Sequence, residues 1–304
     1  MARVNIYLPE SLAEEVRRRS DLNLSKICST AIRDVIEGQH GLRSGESLLQ
    51  RLLWHPSESS LTHRYKHLRK IFVGKPVGHE EDPRATVAYW AADVIDRAIA
   101  SDVQLGVGGG AQMWSAIRHL RPRRLKMSIS ALGFGHVDAR FPHLHANALV
   151  TLLSLIYAPN SQPLLVGSPT FPSAWSLDTP PHDEDLRRVI VGSCAPFDPK
   201  SPYAEVLGPE ITQLLVDEGV VGEFLGVFLT ADGRAIEPYV PAATVSHISS
   251  ADLREHAKRN DTFVVLAASG KPKHQIMQRV LEAELCNMLV TDEATAGALL
   301  RASQ

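Results

Sequence analysis

In Val264-Val265-Leu266-Ala267-Ala268-Ser269-Gly270-Lys271-Pro272-Lys273 a short apolar run stops at Ser269-Gly270, and two lysines then stand where the next periodic segment begins. The run over 262–267 has the length and residue types of a strand buried on both faces. The spacing predicts a helix over 273–284, a second strand over 288–290 and a further helix over 292–300. Two buried strands joined by a helix form a parallel pair. Lysines at a helix start oppose the positive end of its dipole unless an anion lies there, so Lys271 and Lys273 are candidates for an anion site.

The same alternation extends back to Ile71. Helices are predicted over 84–100, 111–119, 143–157 and 205–217, and strands over 103–107, 126–131, 163–166, 188–191 and 224–229. This alternation argues for a mostly parallel sheet covered on both faces, a Rossmann-like α/β domain whose ligands sit beyond the carboxyl ends of its strands. Gly106-Val107-Gly108-Gly109-Gly110 is a second such end, opening a helix where bare backbone N–H groups approach an anion. Glu223, ahead of the strand read over 224–229, either accepts hydrogen bonds from hydroxyls or is simply exposed.

The chain has 304 residues, 44% of them hydrophobic and 22% charged, with a mean hydropathy of −0.08. That composition suits folded domains and excludes bulk disorder. No apolar run approaches the roughly 18 residues of a membrane span, so the expectation is a soluble, cytoplasmic protein. Three cysteines without a CxxC pair fit neither a disulfide framework nor a zinc module. Charge is uneven: residues 1–70 carry 12 Lys and Arg against 8 Asp and Glu, while the remainder is acidic. A basic end on an acidic body suits a nucleic-acid-binding arm.

That basic end has its own pattern. Residues 3–8 alternate, with Val4, Ile6 and Leu8 on one face and Arg3, Asn5 and Tyr7 on the other, which predicts an amphipathic strand. Pro9 closes it at a helix start, and Ser25 caps a second helix carrying Ile27, Cys28, Ala31, Ile32, Val35 and Ile36 to Gly38. One short strand cannot satisfy its own backbone, so pairing with a second copy is expected. A two-stranded ribbon fits a major groove and turns its outward side chains to base edges. Leu8-Pro9-Glu10 and Leu24-Ser25-Lys26 at these positions resemble the ribbon-helix-helix repressors. The resemblance makes Arg3, Asn5 and Tyr7 the base readers and sets Ser25 and Lys26 against a phosphate. Residues 41–67, rich in Gly, Ser and Pro, read as a linker in which Leu48, Leu49, Leu52 and Leu53 allow a short helix.

Residues 68–304 resemble the effector-binding domain of the SorC family of sugar-responsive bacterial regulators. The resemblance is strongest in 264–273 and in Leu285-Cys286-Asn287-Met288-Leu289-Val290-Thr291-Asp292-Glu293-Ala294-Thr295-Ala296. It implies that Lys273 meets the phosphate of a sugar phosphate, that Gly108, Gly109 and Gly110 cradle it, and that Glu223 contacts sugar hydroxyls. The chain departs from that family twice. It carries a ribbon-helix-helix pattern instead of a helix-turn-helix, and Gln112 where the glycine loop usually has a threonine. His136, His143 and His145, with Asp138, lack metal-ligand spacing, and no hydrolase, Walker or metalloprotease motif is present. No catalytic residue, metal or cofactor is therefore assigned.

The expected organisation is a ribbon-helix-helix domain over 1–40, a linker over 41–67 and an α/β effector-binding domain over 68–304, working as a homodimer or homotetramer on double-stranded DNA. The expected function is a ligand-responsive transcriptional regulator, a repressor, whose effector is a small anionic metabolite such as a phosphorylated sugar. Two alternatives differ in class. One is an isomerase- or deaminase-like enzyme using Glu223 or Asp292 as base; the other is a DNA binder whose large domain holds a protein partner. Replacing Arg3 with Ala is expected to cut discrimination between operator and mismatched duplex by about 1–3 kcal/mol with the melting temperature unchanged. Competition binding reads this, and unchanged discrimination overturns the ribbon assignment.

Overall fold

The computed structural model describes residues 55–74, 82–99, 103–134, 140–166, 187–237 and 248–302. The expected ribbon and its helices, with Arg3, Asn5, Tyr7, Ser25 and Lys26, lie outside them. The chain divides into two units between Trp54 and His55, and the described residues all belong to the second.

A helix α1 (Pro56–Arg64) leads into β1 (Lys70–Gly74), α2 (Pro83–Ala98), β2 (Val103–Gly108), α3 (Ala111–Ile117) and β3 (Met127–Leu132). Then come α4 (Ala146–Tyr157), β4 (Arg187–Gly192), β5 (Cys194–Pro196), α5 (Pro202–Leu207) and α6 (Pro209–Asp217). Strands β6 (Val220–Phe224), β7 (Val227–Thr230) and β8 (Ala235–Ile236) precede α7 (Ser250–Lys258), β9 (Thr262–Ala267), α8 (His274–Glu282), β10 (Met288–Asp292) and α9 (Glu293–Arg301). None of the described helices is long and apolar enough to cross a membrane.

Six strands form one parallel sheet in the order β1-β10-β9-β4-β2-β3, and β5-β6-β7-β8 form a second, antiparallel sheet. The predicted α/β character holds. From β2 the chain moves outward to β3, whereas β4 returns on the other side of β2. The connections after β2 and β4 therefore part, and a crevice opens at their carboxyl ends.

Inside, Asn287 is fully buried and joins four segments. Its Oδ1 accepts from the Val264 N–H at 2.9 Å, and its Nδ2 donates to the carbonyls of Ala257 at 2.8 Å and Thr262 at 2.9 Å. The Asn287 carbonyl in turn accepts from the Arg69 N–H ahead of β1. Each polar atom of this side chain is used, as burial demands.

Four local readings differ from the sequence expectations. Within the stretch read as a linker, α1 packs Leu61 into the main core, and its Glu58 carboxylate accepts from the Val73 N–H at 2.9 Å. The helix expected over 205–217 is two helices, broken at Gly208, whose φ is 83°. At the strand expected over 163–166, the described structure has a single bridge between Leu164 and Ser130. The strand expected over 224–229 is a hairpin, β6 and β7 turning at Leu225-Gly226 with φ values of 54° and 88°. Both turn residues have positive φ, the geometry that matches strand twist in a two-residue hairpin, for which Asn-Gly is the usual choice.

Leucine holds that strained position because its side chain has a socket. A Cβ on Gly108 would lie 2.8 Å, and one on Gly192 2.5 Å, from Leu225 Cδ2. The ends of β2 and β4 thus form a glycine notch filled by Leu225, which is 2% exposed. Leu225→Ala should cost about 3 kcal/mol and Gly192→Ala about 2 kcal/mol by overpacking. The double variant should cost clearly less than the sum, since each change relieves the other. Additive losses in urea denaturation would refute this packing.

Candidate functional site

A cleft of about 280 Å³ lies at the crevice. Its wall combines the strand-end loops of the parallel sheet with β5, β6 and α5 of the smaller one. Of the residues singled out in the sequence, Gly108, Gly109, Gly110, Gln112, Glu223 and Lys273 meet there. Lys271 does not line it and is exposed.

The glycine loop is shaped by close approach. A Cβ on Gly109 would stand 2.9 Å from the Leu144 carbonyl and 3.0 Å from the Ala146 nitrogen, so the loop lies directly on the start of α4. Gly110, at φ 101°, caps α3, and its N–H donates to the Leu144 carbonyl at 2.7 Å. One of the backbone donors expected to face an anion is therefore spent inside the protein. Gln112 is likewise engaged: its Nε2 donates to the Arg84 carbonyl at 3.0 Å, and its Oε1 accepts from the Ser269 hydroxyl at 3.3 Å. In place of a small hydroxyl, this residue ties the β2 end to the β9 end.

Lys273 stands at the start of α8, its N–H bonded to the Gly270 carbonyl, and its Nζ donates to Ser193 Oγ at 2.9 Å. Burial holds its pKa below the usual lysine value. Among the described residues it forms no ion pair, and its hydrogen-bond partner is a neutral hydroxyl. Opposite, β5 pairs with β6 so that Ala195 faces Glu223, which brings the carboxylate beside the continuation of β4. Glu223 Oε2 accepts from the Gly226 N–H at 2.9 Å. Desolvation raises the Glu223 pKa to about 7, opposed by that hydrogen bond and by Lys273. Burial also pushes the Cys194 thiol up to about 12, leaving it unreactive.

Asp292, the alternative base, does not line the cleft. It caps α9, accepting from the Thr295 N–H at 3.0 Å and the Thr295 hydroxyl at 2.6 Å. His145 is buried against the cleft, while His143 is exposed and meets Trp114 edge to face. His136 and Asp138 lie outside the described residues. Among the described residues no three His, Cys, Asp or Glu side chains gather as a metal site.

Ser193, Phe134, Tyr203, Leu225 and His145 are cleft residues that the sequence reading did not assign. Ser193 follows the strand read over 188–191 and Phe134 that read over 126–131, so the strand-end rule points to both. Tyr203 and Leu225 come from the smaller sheet and its helix, which the alternation pattern does not reveal.

Glu223 is protonated more readily in the folded chain than in the unfolded one. Folding stability from this group is therefore greatest at low pH and falls as pH rises from about 4.5 to about 7. Glu223→Gln should gain melting temperature relative to the ligand-free parent as pH goes from 5 to 8. A constant difference across that window in scanning fluorimetry would show that the carboxyl is not perturbed.

Residues 185–301 match a family model described as "Putative sugar-binding domain". Among solved structures, a transcriptional regulator from Streptococcus pneumoniae TIGR4 matches with a TM-score of 0.64 at 19% identity, over 81% of this chain and 95% of that one. The full-length sorbitol operon regulator SorC from Klebsiella pneumoniae matches with a TM-score of 0.63 at 18% identity, over 95% of this chain and 93% of that one. A DeoR family transcriptional regulator from Listeria monocytogenes gives 0.60 at 18% identity, over 80% and 98%. No curated protein matches the chain. Residues 185–301 thus carry the sequence pattern of that sugar-binding domain family, and the described unit has the fold shared with these regulators.

Proposed function

We propose that the chain is a ligand-responsive, DNA-binding transcriptional regulator whose α/β unit takes a small anionic metabolite, a phosphorylated sugar being the best fit. The observation that carries this reading is Lys273. A desolvated ammonium with no ion pair among the described residues is costly, and an anionic ligand in the cleft would supply the missing charge. The neighbouring glycine loop leaves room for it, and Glu223 across the cleft suits the hydroxyls of a sugar. The family match over 185–301 supports the sugar.

The N-terminal strand pattern supports DNA as the macromolecular partner, read by a ribbon built from two copies, so a homodimer or a pair of dimers is the expected working form. The effector controls DNA binding by binding the DNA-competent and incompetent states with different affinity. One observation favours an enzyme instead: Glu223, with a pKa near 7, lies in the range of a general base. Turnover of a sugar phosphate by the purified protein would favour that reading.

The experiment is a thermal-shift screen against phosphorylated sugars, their unphosphorylated forms and nucleotides, with each hit repeated in an operator-binding assay. A ligand at one hundred times its Kd should add about 2.7 kcal/mol of stability, and Lys273→Ala should abolish most of the shift while leaving DNA affinity without ligand unchanged. Full retention of the shift in Lys273→Ala would remove the lysine from the site, and a hit that leaves operator binding unaltered would sink the regulator reading.

A further inference from the structure

Three aromatic side chains, Phe134, Phe141 and Tyr203, line the cleft together with leucines. Phe134 and Tyr203 pack on each other, with centroids 4.2 Å apart and planes at 53°, as part of the smaller core. Phe141 differs from both. It is 47% exposed, and it is the one exposed large hydrophobic residue among the described residues that lines this cleft. Its place is set by the backbone. The Leu144 N–H donates to the Phe141 carbonyl at 3.0 Å, closing a single turn over Pro142–Leu144, and the Leu144 carbonyl accepts from the Gly110 N–H of the glycine loop. The ring meets His143 edge-on at 6.3 Å, and the Arg140 guanidinium lies 5.9 Å from its centroid. An apolar ring is thus fixed beside the glycine loop and left half in water at the cleft mouth, where a ligand that covers it recovers hydrophobic stabilisation.

The chemistry of the cover follows from the ring. The face of a phenyl group is negative and attracts groups with positive edges, which the C–H bonds of a sugar supply. A closed sugar ring gathers those bonds on one fixed face and sends its hydroxyls outward. An open-chain polyol has no fixed apolar face and loses more torsional freedom on binding. We infer that the cleft takes its sugar phosphate in the closed-ring form, with the C–H face against Phe141. This rests on the phosphorylated-sugar reading above and narrows it to a class of ligand: Lys273 holds the anion, and Phe141 is the specificity-determining residue that separates cyclic sugar phosphates from open-chain polyol phosphates.

The test uses Phe141→Ala and Phe141→Tyr in the full chain, both of which should melt with the parent because the ring is half exposed. Should the alanine variant unfold, Phe141→Leu, which keeps apolar bulk without the aromatic face, takes its place. Calorimetric titration compares inorganic phosphate, glucose 6-phosphate, fructose 6-phosphate, sorbitol 6-phosphate and adenosine monophosphate. The parent should bind a cyclic sugar phosphate more tightly than sorbitol 6-phosphate, which carries the same phosphate on an open chain. Phe141→Ala should lose about five- to tenfold in affinity for that cyclic ligand, Phe141→Tyr should retain it, and neither should change the binding of inorganic phosphate. Equal affinity of the parent for cyclic and open-chain forms overturns the proposal, as does full affinity in Phe141→Ala. Tightest binding of adenosine monophosphate overturns it too, since a base would then cover the ring. If the parent binds inorganic phosphate but neither kind of sugar phosphate, the closed-ring inference falls while the anion site stands. If it binds none of the five, the phosphorylated-sugar reading falls with it.

Discussion

Leu225 in the notch between Gly108 and Gly192 is the contact on which the site depends. A parallel sheet supplies a crevice where its connections part, but a bare crevice has only backbone and glycine to offer. The β6–β7 hairpin completes it by setting its turn residue into the ends of β2 and β4. Once Leu225 is seated, the register of β6 against β5 leaves Glu223 opposite Ala195 and facing the loop from β2. The backbone strain of a leucine at φ 54° is of order 1 kcal/mol or more, and the burial of that side chain offsets it. A turn of Asn-Gly would form more readily and would leave the notch unfilled. The turn sequence is thus explained by tertiary packing, against local preference.

The charges of the cleft follow from the same assembly. Lys273 comes from the start of α8 and Glu223 from β6, and the two are drawn into an apolar surround that includes Leu132, Phe134, Leu144 and Leu225. Burial lowers the lysine pKa and raises that of the acid, so each is shifted toward its neutral form. Neither reaches the other to form an ion pair; the lysine donates to Ser193 and the carboxylate accepts from a backbone N–H. Two desolvated groups held apart suit the proposed ligand, anionic at one end and hydroxylated along its length. A close Lys–Glu pair would satisfy itself and leave less for a ligand to gain.

How much of this was legible in the sequence varies with the range of the signal. The six-stranded parallel sheet was readable because its strands are continuous apolar runs separated by periodic helices. The lysine turn at 269–273 and the glycine loop at 108–110 were readable because strand ends in such sheets are where ligands sit. The smaller sheet was not readable, because its strands span two to five residues and the Leu225-Gly226 turn lacks the usual residues, so that residues 224–229 look like one strand. Helix α7 was missed although Ser249 and Asp252 form a reciprocal cap, a local signal that does identify it. Gln112 was recognised as a departure from the expected loop, but only coordinates show that its amide is taken up by Arg84 and Ser269. Tyr203 left no signal, since its place depends on the break at Gly208 and on an aromatic group assembled from three distant segments.

The lysine turn also connects the cleft to the beginning of the described unit. The Gly270 N–H donates to Thr295 Oγ1 at 3.0 Å, and that hydroxyl donates to Asp292, which caps α9. At its start α9 presents Glu293 to His55 Nε2 at 3.1 Å, and at its end the Leu299 and Leu300 carbonyls accept from Arg64 of α1. The backbone of the turn that carries Lys273 is thereby bonded to α9, and both ends of α9 are bonded to α1 and its N-cap. His55 is the first residue after the boundary with the N-terminal unit. The proposed ligand, drawing on Lys273, would act on a turn whose backbone is bonded through α9 to α1. Under the proposed reading, control of the N-terminal unit requires only that this chain of bonds have two arrangements to which the ligand binds unequally, since a ligand with equal affinity for both shifts neither.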